Sequence, residues 1–214
     1  MPDMKRETRL PGACWLSLPI AAALFTLVFC APAIGFWRQL AASAAALALW
    51  GFAFDRAGMA ALLRTRRPTT EALLIGCATA TLLYAVFALG NLLVSWGIPS
   101  GHRQIQSVYV LGADVPAWRI GLILLFAVGP CEELFWRGYL QRKLTDRYGG
   151  WGVIMAIAAY TTVHIPTLNP VLVLASFVCG SFWGILFYCK HDIATNIVSH
   201  SLWAATIFAV APMT

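Results

Sequence analysis

Glu132 and Glu133 stand side by side in an apolar stretch, with Arg137 one helical turn further on. His164 and His200 lie in two later apolar stretches. A charge within hydrocarbon costs about 2.5–3.5 kcal/mol on insertion scales, so ionisable side chains inside predicted spans mark a functional site. Residues four apart share a helix face, so Glu133 and Arg137 are expected to pair. Glu132 points about 100° away and stays free. A free carboxylate can deprotonate water, and an imidazole can orient that water or stabilise a developing oxyanion. Glu132, His164 and His200 are therefore read as a water-handling site. One alternative is a buried polar network that pins three helices together. Another is a zinc site on the same three side chains; no H-E-x-x-H occurs, the three are far apart in sequence, and no metal is expected. Pro130, just before the carboxylates, is expected to bend the helix there.

The chain that must position these groups is apolar throughout. Of its 214 residues, 60% are hydrophobic and 11% charged, against about 45–50% and about 25% in soluble domains. The expected fold is all-α: a single integral membrane domain over 1–214, built as a polytopic bundle of about seven transmembrane helices. The segments are about 13–36, 40–54, 71–96, 118–140 or beyond, 151–164, 171–189 and 193–211. A helix needs about 20 residues to cross about 30 Å of hydrocarbon, which makes the second and fifth short. The stretch 98–117 is polar and broken by Pro99, Gly101 and Pro116, and reads as a connection that holds His102. Gly180 and Gly184 form a G-x-x-x-G, expected to mark close packing within the bundle.

The net charge of +6 is explained by topology rather than by nucleic acid. With the N-terminus in the cytoplasm, Lys5, Arg6, Arg9, Arg56, Arg64, Arg66, Arg67, Arg142, Lys143, Arg147 and Lys190 fall inside, against Arg38, Arg103 and Arg119 outside. That imbalance favours a cytoplasmic N-terminus; the chain is expected to be a multi-pass protein of a bacterial inner membrane, its partners the lipid bilayer and a membrane substrate. Trp37, Trp96, Trp118 and Trp151 fall near segment ends, as interfacial tryptophans do. The six cysteines show no C-x-x-C spacing and read as packing residues, Cys131 beside the carboxylates included.

Gly129-Pro-Cys-Glu-Glu-Leu-Phe-Trp-Arg-Gly-Tyr-Leu140 resembles the E-E-x-x-x-R-G-Y-L signature of the CAAX protease and bacteriocin-processing family. These are glutamate-dependent intramembrane endopeptidases and include the type II CAAX prenyl endopeptidases. Tyr160-Thr-Thr-Val-His164 is similar to the family's second motif, with Tyr where Phe is usual. His200-Ser-Leu-Trp-Ala204 matches its His-x-x-x-Asn/Asp at the histidine and departs at Ala204. The resemblance covers about 111–214. It implies a cofactor-free peptidase with Glu132 as general base, His164 and His200 on the water and the scissile carbonyl, and Glu133 and Arg137 as a structural pair. Substrates implied are membrane proteins or peptides with a prenylated C-terminus or a C-terminal sorting tail. A non-catalytic scaffold or bacteriocin-immunity protein of the same fold is the remaining reading. Asn196, one turn before His200, is a candidate oxyanion donor in place of Ala204, or else a cap for its own helix.

Depth adds a further expectation. At about 1.5 Å per residue, Glu132 and His200 come within ~9–10 Å of the cytoplasmic edge, whereas His164, counted from Trp151, comes out ~20 Å deep.

Overall fold

The computed structural model describes residues 12–65, 69–112 and 115–213. Lys5, Arg6, Arg9, Arg66 and Arg67, used above for orientation, lie outside them. The described residues form nine helices and no strand. They are α1 (Gly12–Cys30), α2 (Phe36–Phe54), α3 (Arg56–Thr65), α4 (Thr70–Gly97) and α5 (Gly101–Val110). Then α6 runs without a break through Ala117–Ile123, Leu124–Val128, Gly129–Glu133, Leu134–Gln141 and Arg142–Tyr148. The last three are α7 (Gly150–Thr162), α8 (Pro170–Lys190) and α9 (Ile193–Ala205, continued by Thr206–Val210).

All seven expected segments are helices. Four of them, α1, α4, α8 and Ile193–Val210, are each long and apolar enough to cross a membrane. Phe36–Phe54 and Arg56–Arg64 pass that test together but meet at 105°. On α4, Leu74, Leu82, Leu89 and Leu92 are exposed, which is the face a bilayer would cover.

Side chains set the helix ends. Thr69 caps α4 by accepting from Ala72 N. Asn169 accepts from Leu172 N at the start of α8, with Pro170 in its first turn. Asp192 accepts from the backbone N–H of Ala194 and Thr195 at the start of α9. Gly149, at φ +58, turns α6 back into α7.

Two polar segments that read as connections are helical. The interval between the second and third expected segments, 55–70, which holds Arg56 and Arg64, contains α3. The stretch expected to be irregular contains α5, so His102 sits on a helix. Its polar side chains are used locally: Gln104 Oε1 accepts from Val171 N, and Asn169 Nδ2 donates to Gln104 O and Ser107 Oγ. These bonds tie α5 to the start of α8. Trp96, Trp118 and Trp151 are exposed as interfacial residues would be, but Trp37 is buried, its indole N–H donating to Gly112 O at 3.3 Å.

Ion pairs join the ends that carry basic residues. Asp55 after α2 meets Arg142 and Lys143 of α6, and Glu71 of α4 meets Lys190 of α8. The pairs bring the end of α2 to α6, and the start of α4 to the end of α8.

The G-x-x-x-G face is filled within the bundle. A Cβ at Gly180 would lie 3.0 Å from Tyr160 Cδ1, and one at Gly184 would lie 3.2 Å from Ile157 Cγ1. Both neighbours belong to α7. Replacing Gly184 with leucine should therefore destabilise the protein by about 1–3 kcal/mol through overpacking. Thermal unfolding of the purified variant checks this; an unchanged midpoint would contradict the α7–α8 contact.

Candidate active site

The helix that carries the two carboxylates is irregular on either side of them. Wide π-type turns occupy Leu124–Val128 and Leu134–Gln141, and Gly129–Glu133 forms a single ordinary turn between them with Pro130 near its start. Proline has no N–H to give, and the wider turn is one way a helix absorbs that loss. Gly129 lets α9 approach: a Cβ there would sit 2.9 Å from Ser201 Cα. The close contact brings the helix of His200 against the helix of the carboxylates.

Glu133 is fully buried and saturated with donors. Arg137 Nη1 donates to Glu133 Oε1 at 2.9 Å, and His200 Nδ1 reaches the same oxygen at 2.8 Å. Asn196 Nδ2 donates to Glu133 Oε2 at 3.1 Å. The second proton of that amide goes to Trp183 O at 2.9 Å. Arg137 Nη2 donates to Gly180 O at 3.3 Å. Two adjacent rings hold the cation, Tyr160 at 4.9 Å and Trp183 at 5.7 Å from the guanidinium carbon. The expected Glu133–Arg137 pair is thus present, within a wider network.

Glu132, also buried, turns to a different neighbour. Tyr160 Oη lies 3.4 Å from Glu132 Oε2. Among the described residues no other hydrogen bond reaches this carboxylate. His164 follows Tyr160 by one turn, and its Nδ1 lies 2.9 Å from Tyr160 O. Its ring packs on Tyr160, Phe25 and Phe29, with centroids 5.3–5.5 Å away. His200 stacks on Trp183 at 3.8 Å between centroids, with 16° between the planes.

The partners assign both tautomers. A carbonyl oxygen and a carboxylate can only accept, so His164 and His200 each carry a proton on Nδ1. Each ring is left with Nε2 for other chemistry.

The five residues expected at the site are therefore all buried together, joined through the rings of Tyr160 and Trp183. His200 bonds Glu133 rather than Glu132. Asn196 is neither a cap nor a free donor. Asp192 caps the helix, and both N–H groups of the amide are engaged, so the oxyanion role is set aside for this residue. Ala204 is buried at 3% exposure and offers only a methyl group. The depth mismatch for His164 also resolves. Helix α6 extends well past Leu140, so counting to a membrane edge there misplaces Glu132. From the turn at Gly149 that α6 and α7 share, Glu132 lies ~26 Å back and His164 ~22 Å on, about one helical turn apart. Among the described residues, no group of three His, Cys, Asp or Glu side chains is placed to hold a metal ion.

Comparison with known proteins adds one match. Residues 114–206 match the family model described as type II CAAX prenyl endopeptidase Rce1-like. Over that stretch the chain is similar to the CAAX protease and bacteriocin-processing family. The Rce1-like region holds Glu132, Glu133, Arg137, Tyr160, His164, Asn196, His200 and Ala204, and begins close to the boundary read from the motifs. With the apolar helices, the match indicates an integral membrane protein that is similar over that stretch to a peptidase family. No curated protein and no solved structure matches the chain.

Tyr160 and Trp183 contribute most that sequence reasoning missed. The departure from phenylalanine at Tyr160 was the available signal; a tryptophan in an apolar helix gives none. The network makes Asn196→Ala costly: Glu133 loses a donor, and the variant should lose about 1–3 kcal/mol of stability. Thermal unfolding checks it. A normal midpoint with turnover down 10²–10³-fold, the loss typical of a missing oxyanion donor, would restore the catalytic reading of Asn196.

Proposed function

We propose that the protein is an intramembrane endopeptidase that hydrolyses a peptide bond in a membrane-associated substrate with water activated by Glu132. The observation that carries this is the division between the adjacent carboxylates. Glu133 is held by three donors and is structural. Glu132 has a single, long contact, so a lone pair remains for a water molecule.

In this reading Glu132 takes a proton from water, and the resulting hydroxide adds to the scissile carbonyl carbon. The Nε2 lone pair of His164 or His200 accepts a hydrogen bond from that water and orients it. Collapse breaks the C–N bond, and Glu132 returns its proton to the leaving amine. Glu133, Arg137 and Asn196 hold His200 in place, and no cofactor takes part. The substrate class suggested by the family match is a protein or peptide with a prenylated cysteine near its C-terminus. Charge bias supports a cytoplasmic N-terminus, and a bacterial inner membrane is the setting proposed.

The methyl group of Ala204, where the family pattern places an amide or carboxyl, favours a second reading: a non-catalytic scaffold of the same fold. One assay separates them. Purified protein in lipid nanodiscs is offered a fluorogenic peptide with a farnesylated cysteine three residues from its C-terminus. Cleavage is expected, and Glu132→Gln should lower turnover by about 10²–10⁴-fold, because a carboxamide cannot accept the proton. Substantial turnover by the variant removes Glu132 from the role, and no cleavage by the native protein favours the scaffold. Activity should also survive exhaustive chelation; loss that added zinc restores would favour a metallopeptidase.

A further inference from the structure

We infer that the phenol of Tyr160 is a positioning residue for Glu132, holding one carboxylate oxygen so that the other meets water. The inference rests on the proposed role of Glu132 and assigns its partner. Tyr160 Oη is the hydrogen-bond donor recorded for this buried carboxylate, on Oε2 at 3.4 Å. The contact is long, and catalytic hydrogen bonds often reach full strength only in the complex with substrate.

The placement of the hydroxyl is rigid. A Cβ on Gly180 would come within 3.0 Å of the Tyr160 ring, so α8 lies flush against it. Trp136 packs edge-on at 5.2 Å and the Arg137 guanidinium sits over its face at 4.9 Å. The ring cannot swing away from Glu132 without displacing these neighbours. With the ring fixed, the phenol selects one rotamer of Glu132, and Oε1 is the oxygen left for chemistry. The same ring packs on His164 at 5.3 Å, so one side chain sets the spacing of the carboxylate and that imidazole. Phenylalanine at this position would keep every packing contact and remove only the hydrogen bond.

Two measurements on the full-length protein in nanodiscs test the inference. Infrared difference spectra between native protein and Glu132→Gln isolate the carboxyl band of Glu132. Tyr160→Phe should move that band, since a carboxyl stretch changes frequency on losing a donor; an unmoved band overturns the proposal. This measurement needs no substrate. With the farnesylated peptide, Tyr160→Phe should lower kcat by about tenfold while KM and thermal midpoint stay near native. A purely structural role would instead move the midpoint. Native kcat in Tyr160→Phe, with Glu132→Gln inactive, overturns this inference and leaves the proposed function standing. An active Glu132→Gln overturns both. If the native protein does not cleave the peptide, the proposed function fails, and the band shift alone decides whether Tyr160 holds Glu132.

Discussion

A carboxylate removed from water loses several kcal/mol of hydration, and only well-placed donors offset the loss. Glu133 imposes that constraint on the bundle. Its oxygens accept from Arg137 on its own helix and from Asn196 and His200 on α9. Arg137 and Asn196 in turn reach backbone carbonyls of α8, at Gly180 and Trp183. Three helices are thereby fixed in register around one buried charge. The register settles details that matter for chemistry: which nitrogen of His200 carries the proton, where Trp183 stacks, and which face of Arg137 meets Tyr160. Glu132, one residue away, points out of this network and toward α7.

Close approach of the helices makes the network reachable. Gly129 admits α9, and Gly180 and Gly184 admit α7. The irregular turns of α6 around Pro130 place two successive carboxylates against different neighbours. The Arg137 guanidinium lies between the rings of Tyr160 and Trp183, and so joins the side holding Glu132 and His164 to the side holding His200. The charge needed to balance Glu133 also supports the ring that touches Glu132.

Much of this was legible in the residues. The i, i+4 spacing separated the two glutamates before any coordinates, because helix periodicity is a local property. Apolar runs marked seven segments for the same reason. The misses share a cause as well: each depends on a partner distant in sequence. Helix α5 is bonded to the start of α8, a contact that a stretch punctuated by Pro99, Gly101 and Pro116 does not reveal. Trp37 is drawn inward by a carbonyl 75 residues away. Asn196 looked like a cap or a free donor until Glu133 and Trp183 took both its protons. The position of His164 depended on where α6 ends, which its polar extension past Leu140 conceals.

The central claim is that adjacent carboxylates divide structure from chemistry, and parallel thermal unfolding of Glu132→Gln and Glu133→Gln tests it most directly. Breaking a buried pair costs about 3–5 kcal/mol. The account predicts a midpoint near native for Glu132→Gln and a large fall for Glu133→Gln, whose loss leaves Arg137 buried without its counter-charge. Equal midpoints, or a greater loss from Glu132→Gln, would contradict it.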